Sequence, residues 1–376
     1  MSKQSRTNGF LFLRSRIILE DMKPILVSGI QPTGKLHLGN YLGALKNFVA
    51  LQDSGKYSCF FFIADLHALT ENPDPKKLNE GVLNLTIDFL TAGINPKKSI
   101  IFLQSEIPAH SELTWILNTI TPLGELKRMI QFKFKARAIW EYLDKKHQDE
   151  KNYTGQVSDE FANKLVEENI EANANAGLVD YPILMASDIL LYSTKFVPVG
   201  EDQDQHLELT RTLARKFNNK FGRTFIEPQG LHTKVPRLMS LDDATKKMSK
   251  SRPAGCLFLD DSPEIVRKKI KRAQTDSGRE IKYDPKNKAA VSNLISIYAG
   301  LTEKPIGEIE RKFKNSNYAG FKKDLAEVIV KALKPFRENK LSKNAAEKIL
   351  RAGTKKANVV AAEKLLEIKK KIGLIF

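Results

Sequence analysis

From Lys23 onward, short apolar runs alternate with longer segments in which apolar residues recur every three or four positions. The runs Ile25 to Gly29, Tyr57 to Ala64 and Ser99 to Gln104 are typical of strands that are buried on both faces. Between them, Asn40 to Gln52 and Leu78 to Ala92 have the periodicity of amphipathic helices. This order predicts an α/β fold with a doubly wound parallel sheet, whose ligands bind at the carboxyl ends of the strands.

The pattern changes three times farther along the chain. Residues 133–176 are polar and charged, and they predict a long insertion that is partly helical and partly mobile. Apolar periodicity returns at Leu178 to Leu191, and Phe196 to Val199 predicts another strand. After about Pro263 the chain is predicted to form helices with basic faces.

Residues 1–22 differ from the rest of the chain. They carry four basic side chains, and their acidic side chains, Glu20 and Asp21, come late. The apolar piece Phe10 to Leu13 is too short for the core of a signal peptide. We expect a disordered extension, or an upstream start that precedes a functional beginning at Met22; a weak organelle-targeting presequence is the alternative.

Composition narrows the class of protein. Hydrophobic residues make up 41% of the 376 positions, which is enough to build a core. No stretch approaches the roughly 20 apolar residues that cross a bilayer, and two cysteines cannot form a disulfide framework or a four-thiolate zinc site. We therefore expect a cytoplasmic protein with no membrane partner and no bound metal of its own. The net charge of +17 indicates a polyanionic partner, although nucleic acid, phosphorylated ligands and acidic membranes all satisfy it.

The first candidate site is the glycine-rich segment from Gly29 to Asn40. It contains the Gly-x-x-x-x-Gly-Lys pattern of a phosphate-binding loop, but Leu36 stands where that loop needs a metal-binding hydroxyl. What remains is a turn from a first strand into a helix, and the N–H groups at the start of such a helix bind anions. We call this segment, Gly29 to Asn40, the phosphate turn. His37 and Asn40 are three residues apart and can both face a bound phosphate. Alternatively, the glycines serve only tight turns.

The second candidate site is the basic segment from Lys246 to Ser251, which we call the basic loop. Lys247 and Lys250 are three residues apart with small hydroxyls beside them, which suits the growing negative charge of a departing pyrophosphate. The alternative is an ordinary solvated basic loop. That alternative weakens because the phosphate turn precedes it by about 210 residues, and the two motifs in this order are highly specific.

These motifs resemble the two signatures of class I aminoacyl-tRNA synthetases. His37-Leu38-Gly39-Asn40 resembles the "HIGH" signature, with Asn40 in place of its final His, and Lys247 to Ser251 matches "KMSKS" at every position. From about residue 23 into the last hundred residues, the chain is similar to bacterial-type tryptophanyl-tRNA synthetases. The segments that carry this similarity are Ser28 to Gly34, Gly39 to Tyr41, Asp65 to Ala68, Gly124 to Leu126, Tyr181 to Asp188 and Val197 to Gln203.

The resemblance implies a tryptophan pocket, and its chemistry agrees with the residues. The indole N–H only donates a hydrogen bond, so a selective pocket needs an acceptor at its end and apolar walls. Asp188 lies one helical turn past Met185 and two turns past Tyr181, so the three share a helix face. The residues implied to bind tryptophan are Asp188, Met185, Tyr181, His67, Val197, Val199 and Gln203. Two alternatives stay open: Asp188 could pair with a lysine, and His67 could be purely structural.

The resemblance also implies ATP-dependent formation of tryptophanyl-adenylate, assisted by Mg²⁺, followed by transfer to tRNA(Trp). The implied catalytic residues are His37 and Asn40 at the α-phosphate and Lys247 and Lys250 at the pyrophosphate. The residues implied to bind ATP are Gln31, Pro32, Thr33, Gly39, Asn40, Gly200, Glu201, Asp202, Leu238, Lys247, Met248, Ser249, Lys250 and Ser251. Two positions depart from the family pattern: Arg252 stands where Asp is usual, and Val27 where a bulkier aromatic residue is common.

The implied architecture is a Rossmann catalytic domain over residues 23–230, rejoined by helices at about 338–376. A helical domain at about 231–337 would meet the tRNA anticodon, and the family forms homodimers. Two alternatives stay open. One is a tyrosyl-tRNA synthetase, which shares the fold, and the other is a catalytically silent RNA-binding paralogue, which would be expected to lose His37, Lys247 or Lys250.

Overall fold

Five parallel strands form a sheet in the order β3-β2-β1-β4-β5. The strands are β1 Ile25–Ile30, β2 Ser58–Ile63, β3 Ser99–Leu103, β4 Phe196–Val199 and β5 Gln229–His232. The computed structural model describes residues 23–127, 129, 175–200, 203–232, 237–339 and 341–375. The strand order reverses between β1 and β4, which is where doubly wound sheets bind ligands. The predicted doubly wound parallel α/β sheet is confirmed.

The helices of the first half connect the strands. Helix α1 begins as Leu38–Asn40, passes through a π-helical segment Tyr41–Leu45 and continues as Lys46–Asp53. The next helices are α2 Asp65–Ala68, α3 Pro75–Ala92, α4 Ala109–Asn118 and α5 Leu123–Lys127, and a short 3₁₀ turn at Leu69–Glu71 follows α2.

The second half supplies two further helices to the sheet and then a run of helices. These are α6 Ala176–Leu190, α7 Asp204–Phe221, α8 Pro263–Arg272, α9 Ala289–Thr302, α10 Ile306–Lys312, α11 Tyr318–Arg337 and α12 Lys343–Lys371. The expected helical C-terminal part is thus confirmed. Residues 1–22 and 133–174 lie outside the described residues, so the predictions for the extension and for nearly all of the insertion stay predictions.

Apolar residues cover both faces of the sheet, as the continuous hydrophobic strands predicted. Leu26, Phe61 and Ile101 pack into one core with the helices of the C-terminal part, whereas Val27, Phe60 and Phe102 pack into a second core with α4, α6 and α7. Successive residues of a strand point to opposite faces, so neighbouring residues enter different cores. A sheet covered in this way exposes its ligand-binding edge at the strand ends.

The last helix, α12, returns to the sheet and packs against β3 at the sheet's edge. A Cβ atom on Gly353 would lie 1.8 Å from the carbonyl oxygen of Ile101, so only glycine allows this approach. The neighbouring Thr354 hydroxyl accepts a hydrogen bond from the Leu103 N–H at 3.1 Å. The edge strand is therefore covered by a helix that comes from the far end of the chain.

Three local features differ from the predictions. Helix α3 begins at Pro75, before the apolar periodicity starts, because the Asp74 carboxylate caps it by accepting from the Lys77 N–H at 3.0 Å. Helix α1 contains a π-helical segment that periodicity does not signal. Strand β5 was not predicted: its four residues do not form an apolar run, and they become a strand through pairing with β4.

Within the described ranges, no helix has the length and apolar character that crossing a lipid bilayer requires.

Candidate active site

Two adjoining cavities lie at the carboxyl ends of β1 and β4. The larger has a volume of about 790 Å³ and the smaller about 360 Å³. The residues that line both are Ile30, Gln31, Gly43, Ala44, Val199 and Gly200. A reaction between a ligand in one cavity and a ligand in the other would therefore take place where the strand order of the sheet reverses.

The phosphate turn and the segment after the basic loop are joined by backbone pairing. The Leu38 N–H donates to the Leu257 carbonyl at 2.8 Å, and the Leu259 N–H donates to the Leu36 carbonyl at 3.1 Å. Leu36 is buried and packs into the core, which explains an apolar residue where a phosphate-binding loop would carry a hydroxyl. This pairing brings the two sequence motifs together.

His37 lies at the start of α1 with its ring against the backbone of Gly39. A Cβ atom on residue 39 would lie 2.9 Å from the His37 Nδ1 atom, so glycine is needed to seat the imidazole. Burial, followed by the charges of Lys247 and Lys250, lowers the pKa of His37 to about 4. The ring is therefore neutral near pH 7. The Asn40 Oδ1 atom accepts from the backbone N–H of His37 at 3.1 Å, which fixes the Asn40 side chain at the same helix start as the imidazole.

The basic loop is anchored by its methionine. Met248 is 1% exposed, and its N–H donates to the Leu238 carbonyl at 3.0 Å. Asn293 on α9 holds the neighbouring Met239 by accepting from its N–H and donating to its carbonyl, both at 2.9 Å. With Met248 in the core, Lys247 and Lys250 line the larger cavity.

The outer end of the loop rests on two further contacts. The Lys250 ammonium donates to the Thr33 carbonyl of the phosphate turn. Arg252, the departure from the family pattern, forms ion pairs with Asp243 at 3.5 Å and Asp242 at 3.7 Å. Arg252 thereby links the C-terminal end of the loop to the segment in front of it.

Most residues implied to bind ATP line the larger cavity. They are Gln31, Thr33, Gly39, Asn40, Gly200, Leu238, Lys247, Met248, Ser249 and Lys250. Pro32 instead lines a neighbouring cavity beside the Lys35–Asp260 ion pair, and Ser251 bonds to the Ser249 hydroxyl at 2.9 Å without lining the larger cavity. Glu201 and Asp202 lie outside the described residues. His232 and Arg237 also line this cavity and were not predicted.

All seven residues implied to bind tryptophan line the smaller cavity: Asp188, Met185, Tyr181, His67, Val197, Val199 and Gln203. Phe62 lines it beside Val27, so an aromatic ring is present although residue 27 itself is small. The walls are largely apolar, and the buried Asp188 carboxylate is an acceptor among them.

Asp188 is 1% exposed and is held by side chains from three other segments. It accepts from His67 Nε2 at 2.8 Å, from Gln104 Nε2 at 2.8 and 2.9 Å, and from His110 Nδ1 at 2.6 Å. Burial alone would raise the pKa of this carboxyl, but the hydrogen bonds from His110 and His67 hold it below its ordinary value. Its partners are histidines and an amide rather than the lysine of the alternative interpretation.

Sequence reasoning missed Gln104, His110 and Tyr192 around this carboxylate. Tyr192 contacts His110, with its hydroxyl 2.9 Å from the His110 Nε2 atom. Gln104 directly follows β3 and could have been noticed, since the residue after a parallel strand lies at the ligand edge. His110 and Tyr192 carry no comparable signal because both lie inside helical or turn segments.

Comparison with known proteins agrees with this geometry. The family described as "tRNA synthetases class I (W and Y)" matches residues 20–147 and 150–334. A tryptophan--tRNA ligase of Caldanaerobacter subterraneus subsp. tengcongensis is 43% identical over 353 residues, covering 93% of this chain and 98% of that protein.

Two solved structures extend the likeness to three dimensions. The tryptophanyl-tRNA synthetase of Mycoplasma pneumoniae superposes with a TM-score of 0.79 at 34% identity, over 94% of this chain and 98% of its own. The tryptophanyl-tRNA synthetase of Campylobacter jejuni, in complex with ADP and tryptophan, gives a TM-score of 0.71 at 33% identity. This match covers 93% of this chain and 99% of that protein. With its two signature motifs at one cavity and relatives along nearly its whole length, this chain belongs to the class I tRNA synthetase family of W and Y.

Proposed function

We propose that this protein attaches L-tryptophan to tRNA(Trp) through a tryptophanyl-adenylate intermediate, releasing diphosphate and then AMP. The observation that carries this proposal is the pair of adjoining cavities. One is lined by His37, Lys247 and Lys250, and the other is apolar with the buried carboxylate of Asp188. ATP and tryptophan in these cavities would meet at the ends of β1 and β4.

Selection of tryptophan follows from the chemistry of the smaller cavity. An ionised Asp188 accepts hydrogen bonds only, and the indole N–H donates only. Phenylalanine offers no donor, so its binding would bury the acceptor without the added hydrogen bond and be disfavoured. Tyr181, Met185 and the valines of β4 supply apolar surface around the ring.

Adenylate formation transfers a phosphoryl group without a covalent enzyme intermediate. The tryptophan carboxylate oxygen forms a bond to the α-phosphorus, and the bond from that phosphorus to the bridging oxygen of pyrophosphate breaks. Neutral His37 and the Asn40 amide are placed to donate to the α-phosphate oxygens. Lys247 and Lys250 are placed to stabilise the negative charge that grows on the leaving pyrophosphate. The terminal ribose hydroxyl of tRNA then attacks the adenylate and AMP leaves.

We propose that Mg²⁺ arrives with the nucleotide, so that the substrate is MgATP. Among the described residues that line the larger cavity there is no carboxylate, whereas Mg²⁺ in proteins prefers oxygen ligands. The ATP phosphates supply such oxygens themselves. We therefore assign no Mg²⁺ ligand among those described residues.

ATP–pyrophosphate exchange with purified protein tests the proposed function. We expect exchange that depends on tryptophan and is at least about 100-fold weaker with tyrosine. Exchange supported by tyrosine instead would favour a tyrosyl-tRNA synthetase. Exchange with neither amino acid would favour a silent RNA-binding paralogue. The acceptor-only Asp188 favours tryptophan, because a phenol hydroxyl both donates and accepts.

The helical part of the chain is proposed to bind tRNA. We assign residues 23–230 with about 338–376 to the catalytic domain and 231–337 to the anticodon-binding domain. Residues 246–282 hold 11 basic and 5 acidic side chains, and residues 334–371 hold 12 and 4. Several of these cations are exposed, among them Lys268, Lys271 and Arg272 on α8.

Salt is expected to separate the two half-reactions. Raising KCl from about 50 to 200 mM should lower kcat/KM for tRNA by more than about tenfold, since phosphate contacts release counterions. Tryptophan-dependent exchange should change by less than about twofold over the same range. Steady-state aminoacylation and exchange at matched salt measure both. Equal salt dependence would contradict the assignment of the basic faces to the tRNA backbone.

We further propose that the protein is a cytoplasmic homodimer. Trp115 on α4 is 72% exposed and Leu123 on α5 is 60% exposed, so adjacent elements present two large apolar side chains. Large exposed apolar side chains, tryptophan above all, are enriched at protein interfaces. Multi-angle light scattering should give twice the chain mass for the wild type and the chain mass for Trp115→Glu. Leu374→Glu, at an equally exposed leucine near the C-terminus, should stay dimeric. An unchanged mass for Trp115→Glu would contradict this interface.

A further inference from the structure

Behind the Asp188 carboxylate lies a second layer of polar contacts that the adenylation chemistry does not use. His110 Nδ1 contacts Asp188 Oδ1 at 2.6 Å, and His110 Nε2 contacts the Tyr192 hydroxyl at 2.9 Å. Asp188 is 1% exposed, and both aromatic residues are fully buried. The three side chains form a chain of hydrogen bonds that leads away from the tryptophan cavity into the core.

Satisfying every polar atom fixes the direction of these hydrogen bonds. An ionised carboxylate only accepts, so His110 must carry a proton on Nδ1 and donate it to Asp188. A neutral imidazole then has a lone pair on Nε2, which accepts from the Tyr192 O–H. A doubly protonated His110 would instead donate to the tyrosine oxygen and leave the tyrosine proton in need of another acceptor. In the neutral arrangement, the His110 Nδ1–H and the Tyr192 O–H each have an acceptor.

Packing holds the two rings in place. Phe102 contacts both, with ring centroids 6.1 Å from His110 and 5.4 Å from Tyr192. Phe62, which lines the cavity, lies 6.3 Å from His110, and Phe60 lies 5.2 Å from Tyr192. The rings therefore cannot turn to other polar partners without displacing core side chains.

We propose that His110 and Tyr192 are positioning residues for tryptophan recognition. Tyr192 sets the tautomer of His110, and His110 holds Asp188 ionised and oriented so that it accepts the indole N–H. This proposal rests on the proposed function of the smaller cavity. Neither residue lines that cavity, so both act through Asp188.

The same contacts give the pH dependence a sign. The titratable groups that face Asp188 are His67 and His110 in direct contact, with Tyr192 behind and Tyr181 across the cavity. Removing the Tyr192 hydroxyl weakens the preference for the Nδ1–H tautomer, and burial then favours protonation of Asp188. The KM for tryptophan in Tyr192→Phe should begin to rise at a higher pH than in the wild type as the pH falls.

The test compares tryptophan with 3-(benzothiophen-3-yl)alanine, in which sulfur replaces the indole N–H. In Tyr192→Phe, kcat/KM for tryptophan in exchange should fall by about tenfold, the equivalent of one hydrogen bond. The value for the sulfur analogue should stay within about twofold, because that analogue does not use the acceptor. Thr114→Val removes a hydroxyl one turn along α4 that contacts the His110 backbone carbonyl and Ser187 but not Asp188, so this variant should preserve the ratio of the two values.

A double variant separates positioning from general damage. His110→Asn keeps a donor near the Nδ1 position but cannot accept from Tyr192, so adding Tyr192→Phe should cause no further loss. Additive losses, or an unchanged ratio of tryptophan to sulfur analogue in a folded Tyr192→Phe protein, would overturn the proposal. If Tyr192→Phe does not fold, the His110 variants provide the test. His110→Asn, which keeps a donor, must have a higher ratio of kcat/KM for tryptophan to kcat/KM for the sulfur analogue than His110→Leu. Equal ratios in these two variants would also overturn the proposal. A wild type inactive with tryptophan would instead overturn the proposed function.

Discussion

Replacing Asp188 by alanine is expected to lower kcat/KM for tryptophan in ATP–pyrophosphate exchange by about 100-fold, which is the usual loss for a hydrogen bond to a charged group. Most of the protein's preference for tryptophan over phenylalanine should disappear, because the smaller cavity then offers no carboxylate to the indole N–H. Activity with phenylalanine should not fall, since that substrate makes no use of the acceptor. The measurement is exchange with both amino acids at saturating ATP.

Two further variants make this result specific. Asp188→Ala also leaves the donors of His67, Gln104 and His110 without their shared acceptor, so circular dichroism must show that the protein is folded. Asp180 lies on the same helix, and its carboxylate accepts from Asn118 outside the cavity. Asp180→Ala should therefore leave the selectivity for tryptophan intact. An unchanged preference for tryptophan in folded Asp188→Ala would contradict the assignment of the pocket.

Replacing Lys250 by alanine is expected to lower the exchange rate by about 100- to 1,000-fold, the range seen when one group that stabilises transition-state charge is removed. The ammonium rests on the Thr33 carbonyl in this structure and lines the larger cavity, where pyrophosphate charge would grow. Tryptophan affinity, measured by equilibrium binding without ATP, should change by less than about twofold because Lys250 does not line the smaller cavity.

Lys246 provides the matched control for this effect. It is a neighbouring lysine of the same loop, but it pairs with Asp243 at 3.6 Å and does not line the larger cavity. Lys246→Ala should therefore keep exchange within about threefold of the wild type, which is the loss expected for an exposed ion pair. Similar losses in both variants would mean that net loop charge, rather than the position of Lys250, drives catalysis.

The alternation of apolar runs and periodic segments predicted most of the sheet correctly. Strand Phe196–Val199 matches its prediction. Strands β1, β2 and β3 differ from their predicted bounds by one residue, at one end or at both. Such strands are predictable because burial on both faces demands continuous apolar residues. Strand β5 was not predictable, because its four residues form no apolar run. They are a strand because β4 offers them backbone hydrogen-bond partners. Pairing of this kind depends on residues that are distant in the chain.

For the site, the sequence by itself determined the chemistry: two motifs for phosphate and pyrophosphate, and a carboxylate on an apolar helix face. Local residue types carry that information because a phosphate needs donors and cations, and an indole needs an acceptor. Only the tertiary structure decided how these groups meet. The antiparallel pairing of Leu36 and Leu38 with Leu257 and Leu259 joins the motifs across the chain, and a shared core brings His67, Gln104 and His110 onto Asp188. Backbone pairing and burial act between distant segments, so no local pattern gives the contacts that these groups make with one another.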